Sequence, residues 1–166
     1  MDNSQTTTLI EYNSWANARI LSKVSGMPQS DLFIQSNLSH KTIIDTLVHI
    51  LDTQWYWREG AQTGILPTGT LLPSDFTDLS TLKARWAIED RILLEFVQSL
   101  TPQALNGFTT YHWSKAKPRT RPLWHILIHI VNHGTQHRSE LGQHLATLGK
   151  SPGDLDFIKY SARVGS

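Results

Sequence analysis

Apolar residues recur every three or four positions along four long stretches of the chain, as one face of a helix requires. In the first stretch, for example, Leu9, Tyr12 and Ala16 share such a face. Four helices of this kind predict an all-α protein, an up-down four-helix bundle in a single domain of residues 1–166. The four stretches cover about 7–24, 41–59, 79–100 and 122–148.

Helix-breaking and helix-capping residues mark the ends of these stretches. Gly26 and Gly60 are predicted to end the first two helices, and Pro102 follows the end of the third. Ser39 is a candidate N-cap for the second helix, and Pro122 suits the first turn of the fourth.

Two connecting segments, 60–76 and 101–120, are longer than a simple bundle needs, and long loops often cover a functional site. The second contains a stretch with strand propensity, Phe108 to Trp113, and the basic residues after it can return as a second strand. A small hairpin or an irregular excursion is therefore expected before the last helix. The tail from Asp154 is expected to hold one short helical turn.

Composition narrows the classes of function. The net charge of +1 gives no electrostatic footprint for nucleic acid, so the local basic run at 115–121 is interpreted as a solvated loop. The absence of cysteine excludes disulfides, thiolate–metal bonds and cysteine nucleophiles. The N-terminus lacks the features of a secretory signal, and no apolar run approaches the length of a membrane span. The expectation is a cytoplasmic protein that binds neither membranes nor nucleic acid.

Histidines dominate the last helix. His125, His129, His133 and His137 recur every fourth residue, and each four-residue step rotates by about 40° around a helix. His133 and His137 therefore lie on one face, one turn apart, with the spacing that allows two histidines to share a metal ion. A fifth histidine, His144, lies about 10 Å beyond His137, too far to join the same ion.

A catalytic metal site usually has three protein ligands and one open position, so a third ligand must come from elsewhere. His49 is the only histidine inside the other three predicted helices, and it lies near their buried face. The alternative is a hydrogen-bonded core histidine. His40 and His112 lie in loops and are weaker candidates. The remaining histidines, His125, His129 and His144, are interpreted as packing, supporting or surface residues.

Other metal chemistries find less support. The chain has neither an H-E-x-x-H motif, typical of metalloproteases, nor the E-x-x-H motif of di-iron bundles. Haem held by two histidines stays open, although no specific motif favours it.

Three segments resemble the DinB/YfiT-like metalloenzyme family. "HIVNHGTQHRSELGQHLATLG" from His129 is similar to the family's last-helix signature, with its N-H-x-x-x-H-R core. "YNSWANARIL" from Tyr12 resembles the first helix, and "TLVHILDTQWYW" resembles the second, in which a histidine precedes an aromatic cluster. The three segments occur in the family's order, and the resemblance spans essentially the whole chain.

The resemblance implies a four-helix bundle in which His49, His133 and His137 hold a divalent metal ion. Zinc or nickel is favoured, with iron or manganese as alternatives, because imidazole suits several of these ions. Relatives in the family are thiol-dependent S-transferases or isomerases that use bacillithiol, mycothiol or glutathione, and dimers are common among them. The chain departs from the family at Ser139-Glu140, where a glycine-glutamine pair is common.

The favoured hypothesis is a metal-dependent enzyme that transfers a low-molecular-weight thiol to a small electrophile. Asp45 or Asp52 can orient an imidazole or lie at the surface. Arg138 can pair with a carboxylate inside the bundle, but an exposed salt bridge is the simpler interpretation. The alternatives are a non-catalytic metal- or ligand-binding stress-response protein and a metal-free helical dimer. An aromatic group is expected to line an apolar pocket or to form part of the core: Trp15, Trp55, Tyr56 and Trp57.

Overall fold

Four long helices pack so that the first and second each contact the third and the last. The computed structural model describes residues 1–113 and 117–164. The prediction of an all-α bundle with a small hairpin before the last helix is confirmed for the described residues. The helices are α1 (Asn3–Val24), α2 (Ile43–Thr63), α3 (Leu79–Ser99), α4 (Pro102–Leu105), α5 (Leu123–Thr147) and α6 (Phe157–Val164), and the strands are β1 (Phe108–Tyr111) and β2 (Arg119–Pro122).

Side-chain caps set where the first two helices begin. α1 starts earlier than predicted because the Asp2 carboxylate accepts a 2.8 Å hydrogen bond from the backbone N–H of Gln5. The predicted cap of α2, Ser39, is wrong. Thr42 caps this helix instead, and its hydroxyl accepts a 3.0 Å hydrogen bond from the backbone N–H of Asp45.

The two glycines predicted to end helices do not end them. α2 continues through Gly60 and ends before Gly64, whose φ of 74° is the left-handed conformation that glycine adopts easily. Gly60 serves close packing, because a Cβ at this position would lie 2.6 Å from Cδ2 of Leu66. The C-cap of α1 is Ser25 rather than Gly26, and it keeps a right-handed helical conformation.

The hairpin and the C-terminal helix complete the fold. β1 and β2 pair antiparallel, with Phe108 opposite Pro122 and Tyr111 opposite Arg119. Part of the predicted basic run, Lys115, lies outside the described residues. α6 is longer than the single turn expected from the sequence, and its buried Tyr160 packs against α1.

A buried polar network links all four long helices. Arg138 of α5, only 2% exposed, donates 2.7 Å hydrogen bonds to the side-chain carbonyls of Asn13 and Asn17 in α1. Asn13 donates to Gln54 of α2 at 3.0 Å, and Gln54 donates to Asp90 of α3 at 2.7 Å. The interpretation of Arg138 as an exposed salt-bridge residue is therefore wrong. Its charge is satisfied inside the bundle by amide oxygens and by the hydroxyl of a neighbouring threonine.

None of the helices in the described part of the chain combines the length and apolar character that crossing a lipid bilayer requires.

Candidate metal centre

Four histidine rings meet between α2, α5 and the loop that precedes α2. Nε2 of His49 in α2 lies 3.0 Å from Nε2 of His133 in α5. The ring centroids of His49, His133 and His137 are separated by 4.6 to 4.9 Å in each pair. The fourth ring belongs to His40, which stacks on His49 with a centroid distance of 3.8 Å.

His40 is only a weak candidate from the sequence because it lies in a loop, yet this loop brings its ring to the cluster. The centroids of His40 and His137 are 5.1 Å apart. Ligand atoms of His40, His49 and His137 all lie within 4.8 Å of one another. The predicted set of His49, His133 and His137 therefore stays a prediction, with His40 as a further neighbour.

The donor atoms suit a divalent ion of the zinc type. Zinc–nitrogen bonds of 2.0–2.1 Å place neighbouring ligand nitrogens of a tetrahedral site about 3.3 Å apart. The 3.0 Å separation of the His49 and His133 nitrogens is close to this value. The ligand atoms of His40, His49 and His137 lie within 4.8 Å of one another, so side-chain rotation would have to bring them closer together. An all-imidazole donor set suits zinc, nickel, copper and iron.

The environment keeps most of these imidazoles neutral at physiological pH. Burial, aided by His40 and His137, lowers the pKa of His49 to about 4. Burial and the neighbouring histidines also lower the pKa of His133, to about 3. The pKa of His40 is lowered chiefly by burial as well, although Glu140 and Asp45 oppose the shift. A metal ion binds only neutral imidazole. These side chains are already neutral at physiological pH, so they need not release a proton in order to bind an ion.

A carboxylate and a hydroxyl approach the far side of one ring in the cluster. His137 is 4% exposed, and its Nδ1 lies 3.4 Å from the Ser39 hydroxyl and 3.5 Å from Oε2 of Glu140. Ser39 donates a 2.6 Å hydrogen bond to the same carboxylate oxygen. With Nδ1 engaged in this way, Nε2 of His137 is the nitrogen available to a metal ion.

In the sequence, Glu140 stands out only as a departure from the family pattern. Its position three residues after His137 on the same helix is the signal that could have identified it. Asp45 and Asp52, the two carboxylates that the sequence suggests could orient an imidazole, have other contacts. Asp45 accepts a hydrogen bond from the Thr42 hydroxyl at 2.6 Å, and Asp52 accepts one from the backbone N–H of Leu71 at 2.7 Å.

The other histidines have different surroundings. The exposed His129 ring lies 5.4 Å from that of Trp57 and 5.7 Å from that of His133, so it borders the cluster. His125 is exposed and packs on Trp124 at 4.0 Å. His144 is half-buried. The backbone of His112 forms an isolated β-bridge with Ile65.

The aromatic group packs largely with the core. Trp15, Tyr56 and Trp57 are partly buried against one of the two apolar clusters, and the Tyr56 hydroxyl accepts a hydrogen bond from the indole N–H of Trp113. Trp55 is half-buried. These contacts favour the core interpretation of the group over the pocket interpretation.

Fold and site together define a class, the helical bundle proteins that hold a histidine cluster between two of their long helices. The profile of the DinB family matches residues 1–163, and the chain belongs to that family. A search of curated proteins found no match to the chain.

Proposed function

We propose that this protein is a divalent-metal-dependent enzyme that transfers a low-molecular-weight thiol to a small electrophile. The observation that carries the metal part of the proposal is the cluster of mostly neutral histidines, in which nitrogens of α2 and α5 approach to 3.0 Å. His49, His133 and His137 are the proposed ligands, and zinc or nickel is the favoured ion, with iron or manganese as alternatives.

The chain's own residues hold and orient the centre. His49 reaches it from α2, and His133 and His137 reach it from α5. Glu140 and Ser39 fix the direction of the His137 ring through Nδ1. When bound, a divalent ion supplies Lewis-acid chemistry that lowers the pKa of a thiol.

The thiol has to come from outside the protein, because the chain has no cysteine. A small cellular thiol such as bacillithiol, mycothiol or glutathione fits this requirement and matches the reactions of the family. The same resemblance supports a homodimer in the cytoplasm. Light scattering on the purified protein measures the oligomeric state directly.

A second candidate is a non-catalytic metal- or ligand-binding protein of the stress response. The observation in its favour is the fourth histidine, because a centre with four protein ligands resembles structural metal sites rather than catalytic ones.

Metal analysis of protein purified without a histidine tag tests the site. We expect about one ion per chain in the wild type, and an affinity at least tenfold weaker in His133→Ala. His125→Ala is the matched control, since its exposed ring lies two helical turns away and its metal content should not change. Unchanged metal in His133→Ala would exclude the proposed ligand set.

A reaction screen separates the two candidates. The metal-loaded protein is mixed with panels of small electrophiles and each of the three thiols, and thiol consumption is followed. We expect turnover with at least one thiol, and its loss in His133→Ala. Metal binding without turnover for any pair would favour the non-catalytic protein.

A further inference from the structure

We propose that His40 is a fourth metal ligand, which holds from a loop the coordination position that a three-histidine centre would leave open. This inference rests on the proposed metal centre and not on the proposed thiol transfer, since a fourth protein ligand that stays bound would favour the non-catalytic candidate over the enzyme. The basis of the inference is the position of the His40 ring against the two helices and the way the loop backbone fixes that position.

The imidazole of His40 lies directly against the proposed ligands. Its ring stacks on His49 at a centroid distance of 3.8 Å and an interplanar angle of 25°, and it meets His137 edge-on at 5.1 Å. A ligand nitrogen of each of these three side chains lies within 4.8 Å of the other two. A tetrahedral site would hold these nitrogens about 3.3 Å apart, so the side chains would have to rotate towards one another to bind one ion.

The backbone after His40 is held in an uncommon conformation. Lys41 has a φ of 68° and is the single non-glycine residue with positive φ in the described ranges. The backbone N–H of Thr42 donates a 2.8 Å hydrogen bond to the carbonyl of His40, which makes Lys41 the centre of a γ-turn. Such turns persist only where surrounding contacts determine them, and they are frequent at ligand sites.

Several contacts fix this turn. The carbonyl of Lys41 accepts hydrogen bonds from the backbone N–H of Ser36 at 2.7 Å and from its hydroxyl at 2.8 Å. The backbone N–H of Lys41 donates to the carbonyl of Leu38 at 2.8 Å. The next residue, Thr42, caps α2, so the loop is anchored on both sides of His40.

Small molecules can reach this position from outside. A cavity of about 350 Å³ is lined by His40 and His49 together with Val48 and Leu71. His40 and His49 therefore border both this cavity and the histidines of α5. A ligand in this place controls whether a small molecule entering the cavity finds an open coordination position.

Cobalt substitution with two variants tests the proposal. The purified full chain is loaded with Co²⁺ as wild type, His40→Ala, His40→Phe and the exposed control His125→Ala. Visible spectra report the ligand field, and azide titration reports access to the ion. His40→Phe keeps an aromatic ring on His49 but has no nitrogen to donate, so it separates ligation from packing.

We expect both His40 variants to bind Co²⁺ with altered visible bands, while His125→Ala matches the wild type. Azide should bind His40→Ala about tenfold or more tightly than it binds the wild type, because removal of one protein ligand opens a coordination position on the ion. Identical bands in the wild type and His40→Phe would overturn the proposal, because packing alone would then explain the ring. A wild type that binds no Co²⁺ would instead overturn the metal centre itself.

Discussion

The Glu140 carboxylate lies 3.5 Å from Nδ1 of His137, across one turn of the helix that carries both residues. The same oxygen accepts a 2.6 Å hydrogen bond from Ser39, in the loop next to His40. Hydrogen bonds to the outer nitrogen of a metal-binding histidine commonly fix its orientation and raise its basicity. One acidic side chain therefore connects α5 to the loop that carries the fourth histidine.

Replacement of this carboxylate should weaken metal binding without removing a ligand. We expect Glu140→Ala to lower metal affinity by about 10- to 100-fold, because His137 would lose the group that orients it. Competition with a chromophoric chelator measures the change. Glu95→Ala removes the same charge from an exposed position on α3, and its affinity should equal that of the wild type. Equal affinity in Glu140→Ala would assign the carboxylate to loop stability alone.

Two glycines of α5 should respond to alanine with opposite signs. At Gly134 a Cβ would lie 2.5 Å from Nη1 of Arg138 and 2.9 Å from Oδ1 of Asn13, so Gly134→Ala should cost about 1–3 kcal/mol. At Gly142 the nearest atom is Cγ of Pro152 at 3.6 Å, and Gly142→Ala should gain up to about 1 kcal/mol from helix propensity. Urea denaturation of both variants measures the difference, and stabilisation by Gly134→Ala would contradict this packing.

The turn at Lys41 should be relieved by glycine. Lys41→Gly removes the Cβ that disfavours positive φ and should stabilise the metal-free protein by about 1 kcal/mol. In the regular helix α1, Lys23→Gly should instead destabilise it by about 0.5–1 kcal/mol. Thermal unfolding of the two variants measures both effects. Destabilisation of similar size at both positions would argue against a strained turn.

Asp90 should give the protein an unusual dependence on pH. Burial raises the pKa of Asp90 to about 6, against the hydrogen bonds from Gln54 and Ser14 that lower it. The folded state then holds this proton more tightly than the unfolded state does. Its contribution to stability is therefore present at pH 4 and is lost as the pH rises through about 6.

The comparison with Asp90→Asn isolates this effect. The asparagine should make the protein more stable than the wild type by about 1–2 kcal/mol at pH 7.5 and should leave stability nearly unchanged at pH 4. Urea unfolding at the two pH values measures both differences. A gain of equal size at both pH values would show that titration of Asp90 is not its cause.

The four long helices were predictable because each buries one continuous apolar stripe. The period of this stripe predicts a helix, and burial of four such stripes against one another predicts a bundle. Their ends were less predictable. Gly60 and Gly64 look equivalent in the sequence, but only the second adopts the left-handed conformation that ends α2. Gly60 is required because Leu66, in the loop after α2, packs against it. This tertiary contact cannot be recognised from the local sequence.

At the histidine cluster too, contacts set by local helical spacing were predictable, whereas contacts that depend on the tertiary fold were not. Helical spacing places His133 beside His137, and burial on α2 indicates His49. The approach of His40 depends on the γ-turn at Lys41, and positive φ at a lysine has no sequence signature. The contact between Ser39 and Glu140 likewise joins residues 101 positions apart, so no local spacing reveals it.

The hydrogen-bonded chain from Arg138 through Asn13 and Gln54 to Asp90 has a consequence for how the bundle assembles. Burial of apolar surface is not directional, so apolar stripes alone discriminate only weakly between neighbouring helix registers. A shift of any long helix by one turn would separate these polar partners and leave several of them buried and unpaired, at about 1–3 kcal/mol each. The hydrogen-bonded network thus fixes the register of the four long helices relative to one another. It therefore also sets the relative positions of the histidines of α2 and α5 along the bundle.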